Sequence, residues 1–205
     1  MTFSQKGRLI VFEGIDGSGK TTQAQLLTES LRNCGIECIL TAEPSDGPIG
    51  RLIRTSRVRF EPTEEARLFT EDRREHVLHV VAPSLAQGIT VVCDRYVYSS
   101  MAYQGARGVD PAAIWEENTS FAPQPDVTFF LDISVETALA RIKTRRSIKS
   151  PFESCKDLAV VARMYRDLQG PGWYRINGQA SVTEVHAKII KIIKPLFVHF
   201  DKSHL

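Results

Sequence analysis

The 205-residue sequence carries only four cysteines, Cys34, Cys38, Cys93 and Cys155, and none of them forms a paired C-x-x-C spacing. That scarcity argues against a zinc framework or a disulfide scaffold and suits a reducing cytosol. No apolar run approaches the length of a membrane span, and Met1 to Gly7 is polar, without the apolar core of a secretory leader. The expectation is a cytoplasmic protein with no membrane partner. Charge of one sign is not in excess either: 26 Lys and Arg stand against 24 Asp and Glu, a formal net charge of +2. The overall field therefore gives no reason to expect a nucleic-acid partner. No repeat, low-complexity tract or interdomain linker interrupts the chain. At this length, one domain spanning residues 1–205 would bury about 70% of its unfolded surface.

What is present is an alternation of short apolar strands with longer helical patterns, the mark of an α/β protein with a parallel sheet covered on both faces. The expected strands are Leu9–Phe12, Glu37–Thr41, Thr90–Cys93, Val127–Leu131 and Tyr174–Ile176. Several helix ends are legible. Gly35 suits the position after the first helix, Asp110-Pro111 makes an N-cap followed by proline, and Ser181-x-x-Glu184 is a capping box. A helix from about Thr63 to Gln87 brings Ala66, Phe69, Val77, Val80 and Val81 near one face, and Pro83 is expected to kink or split it.

The first strand runs directly into Gly14-x-x-x-x-Gly19-Lys20-Thr21, a phosphate-binding loop. Gly14, Gly17 and Gly19 allow positive φ and remove side chains, so backbone N–H groups of the Gly14, Ile15, Asp16, Gly17, Ser18, Gly19, Lys20, Thr21 and Thr22 stretch can surround the phosphates of ATP. The helix starting near Lys20 directs its N-terminal dipole at the same charge. Lys20 would reach the β- and γ-phosphates, and the Thr21 hydroxyl would ligate Mg²⁺. The third strand ends in Cys93-Asp94-Arg95-Tyr96, which belongs beyond the carboxyl ends of the sheet, beside that loop. Asp94 can hold Mg²⁺ there, and the planar fork of Arg95 can bridge two phosphates.

The blocks Phe12-Glu13-Gly14-Ile15-Asp16-Gly17-Ser18-Gly19-Lys20-Thr21-Thr22-Gln23, Phe69 with Asp72-Arg73, Asp94-Arg95-Tyr96-x-x-Ser99-Ser100-x-Ala102-Tyr103-Gln104-Gly105 and Pro123-x-Pro125-Asp126-Val127 resemble thymidylate kinases of the bacterial type, in order and over most of the chain. The resemblance implies a P-loop nucleoside monophosphate kinase fold, a five-stranded parallel sheet with helices on both faces and a short lid at about 142–152. It implies phosphorylation of dTMP to dTDP by ATP and Mg²⁺, in a homodimer whose contact would use the helix faces around Ala66–Val81. Residue by residue, Phe69 would stack on thymine and Arg73 would bond its edge. Ser100 and Gln104 would contact the base, Asp16 would approach the 3′-hydroxyl and help place Arg95, and Tyr103 would close the sugar pocket. Glu43-Pro44 would lie near the acceptor phosphate, where Ser45 and Asp46 supply no cation, leaving more to Arg95 and Arg73. Asn177-Gly178-Gln179-Ala180 would meet adenine.

Gly17 leaves no basic side chain over the transferring group, so lid arginines are implied, with Arg145 on ATP and Arg146 catalytic, and with Arg141 and Lys149 as further candidates. Ser150-Pro151 stands where the family commonly has Asp-Arg. That departure opens an alternative: a thymidylate-kinase-like nucleotide-binding protein with a changed acceptor or reduced activity. A nucleotide-switch GTPase does not fit, because no Asn-Lys-x-Asp base-reading block exists and Asp167-x-x-Gly170 ends a helix. A nucleoside kinase would want a carboxylate base at a hydroxyl acceptor.

Overall fold

Leu9 to Glu13 is buried at every position, as a strand flanked on both sides in a parallel sheet must be. The computed structural model describes residues 7–145 and 155–197. In it this run forms β1 (Leu9–Glu13), the central strand of a five-stranded sheet completed by β2 (Cys38–Ala42), β3 (Thr90–Asp94), β4 (Val127–Asp132) and β5 (Trp173–Asn177). The order is β2-β3-β1-β4-β5 and every pairing is parallel. The helices are α1 (Lys20–Asn33), α2 (Pro48–Thr55), α3 (Pro62–His76), α4 (Ala82–Ala86), α5 (Val97–Gly105), α6 (Pro111–Thr119), α7 (Val135–Arg145), α8 (Cys155–Asp167) and α9 (Val182–Ile193).

The two-residue period of β1 divides the core. Ile10 and Phe12 pack with Leu27 and Leu31 of α1 and Ile189 and Ile193 of α9, while Leu9 and Val11 pack on the other face with Val77, Val81 and Leu85. The expected strand positions agree with these strands to within a residue or so at each end. The helix ends agree too. Gly35 takes φ 73° after α1, the Asp110 carboxylate accepts from the Ala112 amide, and Ser181 and Glu184 form both halves of a capping box.

The helix expected over Thr63–Gln87 differs in two respects. It is not split at Pro83; α3 passes into a π-helical turn at Val77–Val81 and then into α4. Pro83 has no N–H to donate, and the backbone widens in the turn before it. The apolar face is also displaced. Val77 and Val81 are buried, but Ala66, Phe69 and Val80 are only half-buried, and the stripe that α3 buries is Glu65, Leu68, Asp72, Arg73 and His76. A helix that hides four ionisable side chains needs partners for each, and those partners lie around the site.

The winding order opens that site. The chain passes from β1 to β2, returns to β3 between them, then crosses to β4 on the far side of β1. Ligands in open α/β sheets sit beyond the strand carboxyl ends at such a reversal. Phe12 is in register with Asp94, so the loops leaving β1 and β3 emerge level with one another.

Candidate active site

The loop between β1 and α1 has its glycines at φ 142° (Gly14), 79° (Gly17) and 99° (Gly19). A methyl group at Gly14 would come within 2.7 Å of the Leu131 carbonyl oxygen, and one at Gly17 within 2.6 Å of that of Ala138. Both space and backbone conformation therefore require glycine there. Lys20 opens α1 with its ammonium buried and donating to the Ile15 carbonyl at 3.0 Å. Burial and the nearby Arg95 charge lower its pKa from 10.5 to about 8, against the pull of Asp94, Asp16 and Glu13.

Thr21 and Asp94 meet at the mouth of the phosphate loop. The Thr21 hydroxyl donates to Asp94 Oδ2 at 2.5 Å, while Asp94 Oδ1 is buried without a partner. An orphan carboxylate oxygen beside a hydroxyl at the mouth of a phosphate loop fits a hard, oxygen-seeking cation. No group of three or more His, Cys, Asp or Glu side chains able to hold a metal occurs among the described residues.

Arg95 is the one non-glycine residue with positive φ, 77°, among the described residues. This is a strained conformation for a residue with a Cβ, of the kind that clusters at active sites. Its backbone N–H donates to the Phe12 carbonyl, and its guanidinium reaches the Gly14 carbonyl at 3.3 Å, Ser99 Oγ at 3.2 Å and Asp16 Oδ1 at 2.6 Å. The Tyr103 hydroxyl lies 3.3 Å from the same guanidinium and from Asp16 Oδ2, and accepts from the Asp16 N–H at 3.2 Å. Burial pushes the Asp16 carboxyl up, but the charges of Arg95 and Lys20 outweigh it and hold the group below its ordinary pKa.

Asp16, Lys20, Thr21, Glu43, Asp94 and Arg95 line one cleft of ≈ 460 Å³, together with Pro44, Asp46, Arg54 and Ile142. Arg54 was not among the residues expected from sequence. α2 folds back under the loop after β2, so the guanidinium donates to the Pro44 and Ser45 carbonyls and to Asp46. The expectation that this end of the site lacks a cation is thereby corrected. Arg51, Arg54 and Arg57 follow at three-residue spacing just beyond Glu43-Pro44, but that spacing does not say which of them enters the cleft.

Arg73 differs from expectation in the opposite sense. It is 1% exposed, and four N–H contacts go to protein: Glu43 at 2.7 Å, Asn118 at 2.6 Å, the Tyr96 carbonyl at 3.1 Å and Ser100 at 3.0 Å. It does not line the phosphate cleft, so it adds no direct cation there. Phe69, one turn earlier on the same helix, is half-buried and packs against none of the three apolar clusters. Ordinary core packing does not account for its ring. Gln104, one turn after Ser100 on α5, is 1% exposed.

Glu13 was also missed. The carboxylate is fully buried and accepts from the Tyr96 and Ser99 amides and from the Ser99 and Tyr165 hydroxyls. It caps α5 from a neighbouring strand, and burial raises its pKa above the usual carboxylate value. An acidic residue ending an otherwise apolar strand was the available sign. On the other side of the phosphate loop a second cleft of ≈ 380 Å³ is lined by Gly17, Thr22, Arg141, Gly178, Gln179 and Val182, among others. Arg141 donates to the carbonyls of Gly17, Ser18 and Gly178. Arg145 is the last residue of α7; Arg146, Lys149, Ser150 and Pro151 lie outside the described residues, as does most of the expected lid.

The family model for thymidylate kinase matches residues 12–189. The chain is 44% identical over 198 residues to the thymidylate kinase of Akkermansia muciniphila, covering 96% of each chain. It is 42% identical over 202 residues to a probable thymidylate kinase of Pyrococcus horikoshii, covering 92% of this chain and 97% of that one. This chain belongs to the thymidylate kinase family. It is accordingly a nucleoside monophosphate kinase, a phosphotransferase, built on the P-loop α/β fold of that family. The thymidylate kinase of Brachyspira hyodysenteriae, 38% identical over 191 residues, covers 92% of this chain and matches over 94% of its own.

Proposed function

We propose that this protein transfers the γ-phosphoryl group of ATP to the phosphate of dTMP, with Lys20 and Arg95 as the chief charges on the transferring group. The observation that carries this reading is the Arg95 guanidinium, held against the phosphate loop by Gly14 and Asp16 in one cleft with Lys20, Thr21 and Asp94. A phosphate monoester is already anionic at neutral pH and needs no general base. The work is to bring two anions into line and neutralise their repulsion. Backbone amides of the Gly14–Thr22 loop and Lys20 would hold the donor tail. Arg95, oriented by Asp16 and Tyr103, would face the transferring group, and Arg54 would supply the cation for the acceptor phosphate. Phe69 would stack on thymine, with Ser100, Gln104 and the remaining Arg73 donor at its edge.

Thr21 and Asp94 are the residues that would hold Mg²⁺, which, bound with ATP, supplies charge neutralisation and orientation of the phosphates. Adenine would lie in the second cleft, against Gly178 and Arg141. A cytoplasmic location and a homodimer complete the reading; Ala66 and Val80 remain for the contact, since Val77 and Val81 are taken up by the core and Phe69 by the base. No helix among the described residues is long and apolar enough to cross a membrane.

Steady-state transfer over a panel of nucleoside monophosphates, with thymidine included, tests the reading. dTMP is expected to be the best acceptor, dUMP poorer by about 10–200-fold for want of a methyl group, and thymidine inert. Preference for thymidine, or no product from dTMP, would overturn it.

A further inference from the structure

Helices α3 and α5 pack on one another through two polar rungs. Arg73 donates to Ser100 Oγ at 3.0 Å, and Gln104 Nε2 donates to Glu65 Oε1 at 3.0 Å. Residues 65, 69 and 73 follow at four-residue spacing on α3, as do 100 and 104 on α5, so each set shares a face and Phe69 falls between the rungs. A base stacked on that ring is flanked by Arg73 on one side and Gln104 on the other.

The two atoms of the Gln104 amide are not equivalent here. Glu65 is 1% exposed, and its other oxygen accepts from Arg107 Nη1 at 2.5 Å and lies 3.6 Å from Arg59 Nε. A carboxylate between two guanidiniums only accepts. The Gln104 NH₂ must therefore face it, because a flipped amide would set oxygen against oxygen. The amide oxygen is left pointing elsewhere, and it is buried with no partner. A buried acceptor without a donor is rare in folded proteins and marks a position where a donor is missing.

We propose that Glu65 is a positioning residue that fixes the Gln104 amide so that its oxygen meets a ring N–H, which makes the site select pyrimidines carrying a donor at N3. Thymine and uracil have that N–H; cytosine presents a lone pair there and would leave two acceptors facing one another. The inference rests on the base site proposed above.

The test compares kcat/KM for dTMP and dCMP in the wild type, Glu65→Gln, Gln104→Met and the double variant. A glutamine at 65 can present either NH₂ or oxygen, so the Gln104 amide is free to turn. Glu65→Gln should lower the dTMP:dCMP ratio about tenfold or more, mainly through KM for dTMP, with KM for ATP unchanged. Gln104→Met should lower the same ratio, and adding Glu65→Gln to it should lower the ratio no further, because Glu65 acts through that amide. Equal losses on both substrates in Glu65→Gln, or a further change of ratio in the double variant, would overturn the proposal. If Glu65→Gln fails to fold, as a thermal melt would show, an unchanged ratio in Gln104→Met overturns it. A wild type that makes no product from dTMP, or prefers dCMP, removes the base site itself and is recognised before any variant is compared.

Discussion

Asp16 and Arg95 form a 2.6 Å ion pair that fastens the phosphate loop to the end of β3. Because Arg95 sits at φ 77°, its side chain leaves the backbone in a direction that a right-handed residue would not give. Arg95→Ala should abolish measurable transfer, as removal of transition-state arginines costs about 10³–10⁵ in rate in related enzymes. Arg95→Lys should recover little, since a point charge cannot bridge two phosphates. Circular dichroism should show both variants folded, and near-normal turnover in either would remove Arg95 from its role.

Lys20 titrates at about 8 in the folded protein against 10.5 ordinarily, and two opposite pH effects follow. Free enzyme loses the ammonium as pH rises through 8, so kcat/KM for ATP should fall on that limb. Stability should move the other way. Between pH 8 and 10.5 the unfolded chain binds the extra proton, so this lysine's contribution rises across that window, by about 3 kcal/mol at most. In Lys20→Met, transfer should be lost, stability at pH 7 should increase, and the rise above pH 8 should disappear from denaturant titrations.

Phe69 has its ring outside the three apolar clusters, so its truncation separates binding from folding. Phe69→Ala should raise KM for dTMP in keeping with about 1–3 kcal/mol of lost stacking, while the melting temperature shifts by only a few degrees at most. A large fall in melting temperature with unchanged KM would return Phe69 to the core.

Arg54 reaches the phosphate cleft from α2 and is bonded there only to loop oxygens. Arg54→Ala should weaken dTMP by about tenfold, the scale of one charge-assisted hydrogen bond, with KM for ATP unchanged. An effect on ATP alone would place the cation on the donor.

Tyr103 cannot swing away, because its hydroxyl is tied to Asp16 and Arg95. Its ring should therefore exclude a ribose 2′-hydroxyl. The ribonucleotide counterpart of dTMP is expected to turn over about 100-fold more slowly or worse, and Tyr103→Ala should narrow that gap. Equal rates for the two nucleotides in the wild type would remove Tyr103 from this task.

Much of this was legible in the chain because it depends on local chemistry. Glycines that need positive φ, a strand buried on both sides, a capping box and an Asp-Arg pair at a strand end are each written in a few consecutive residues, and each appears where it was read. The phosphate loop and the family likeness belong to the same class. What only the folded structure decided involves residues far apart in sequence. Periodicity could not reveal that α3 buries Glu65, Asp72, Arg73 and His76, because polar residues go inside only when partners from other elements meet them, as Glu43, Ser45 and Gln104 do. Arg54 entered the cleft for a like reason: the fold of α2 beneath the loop after β2 sets its position, and no spacing within the helix encodes that approach.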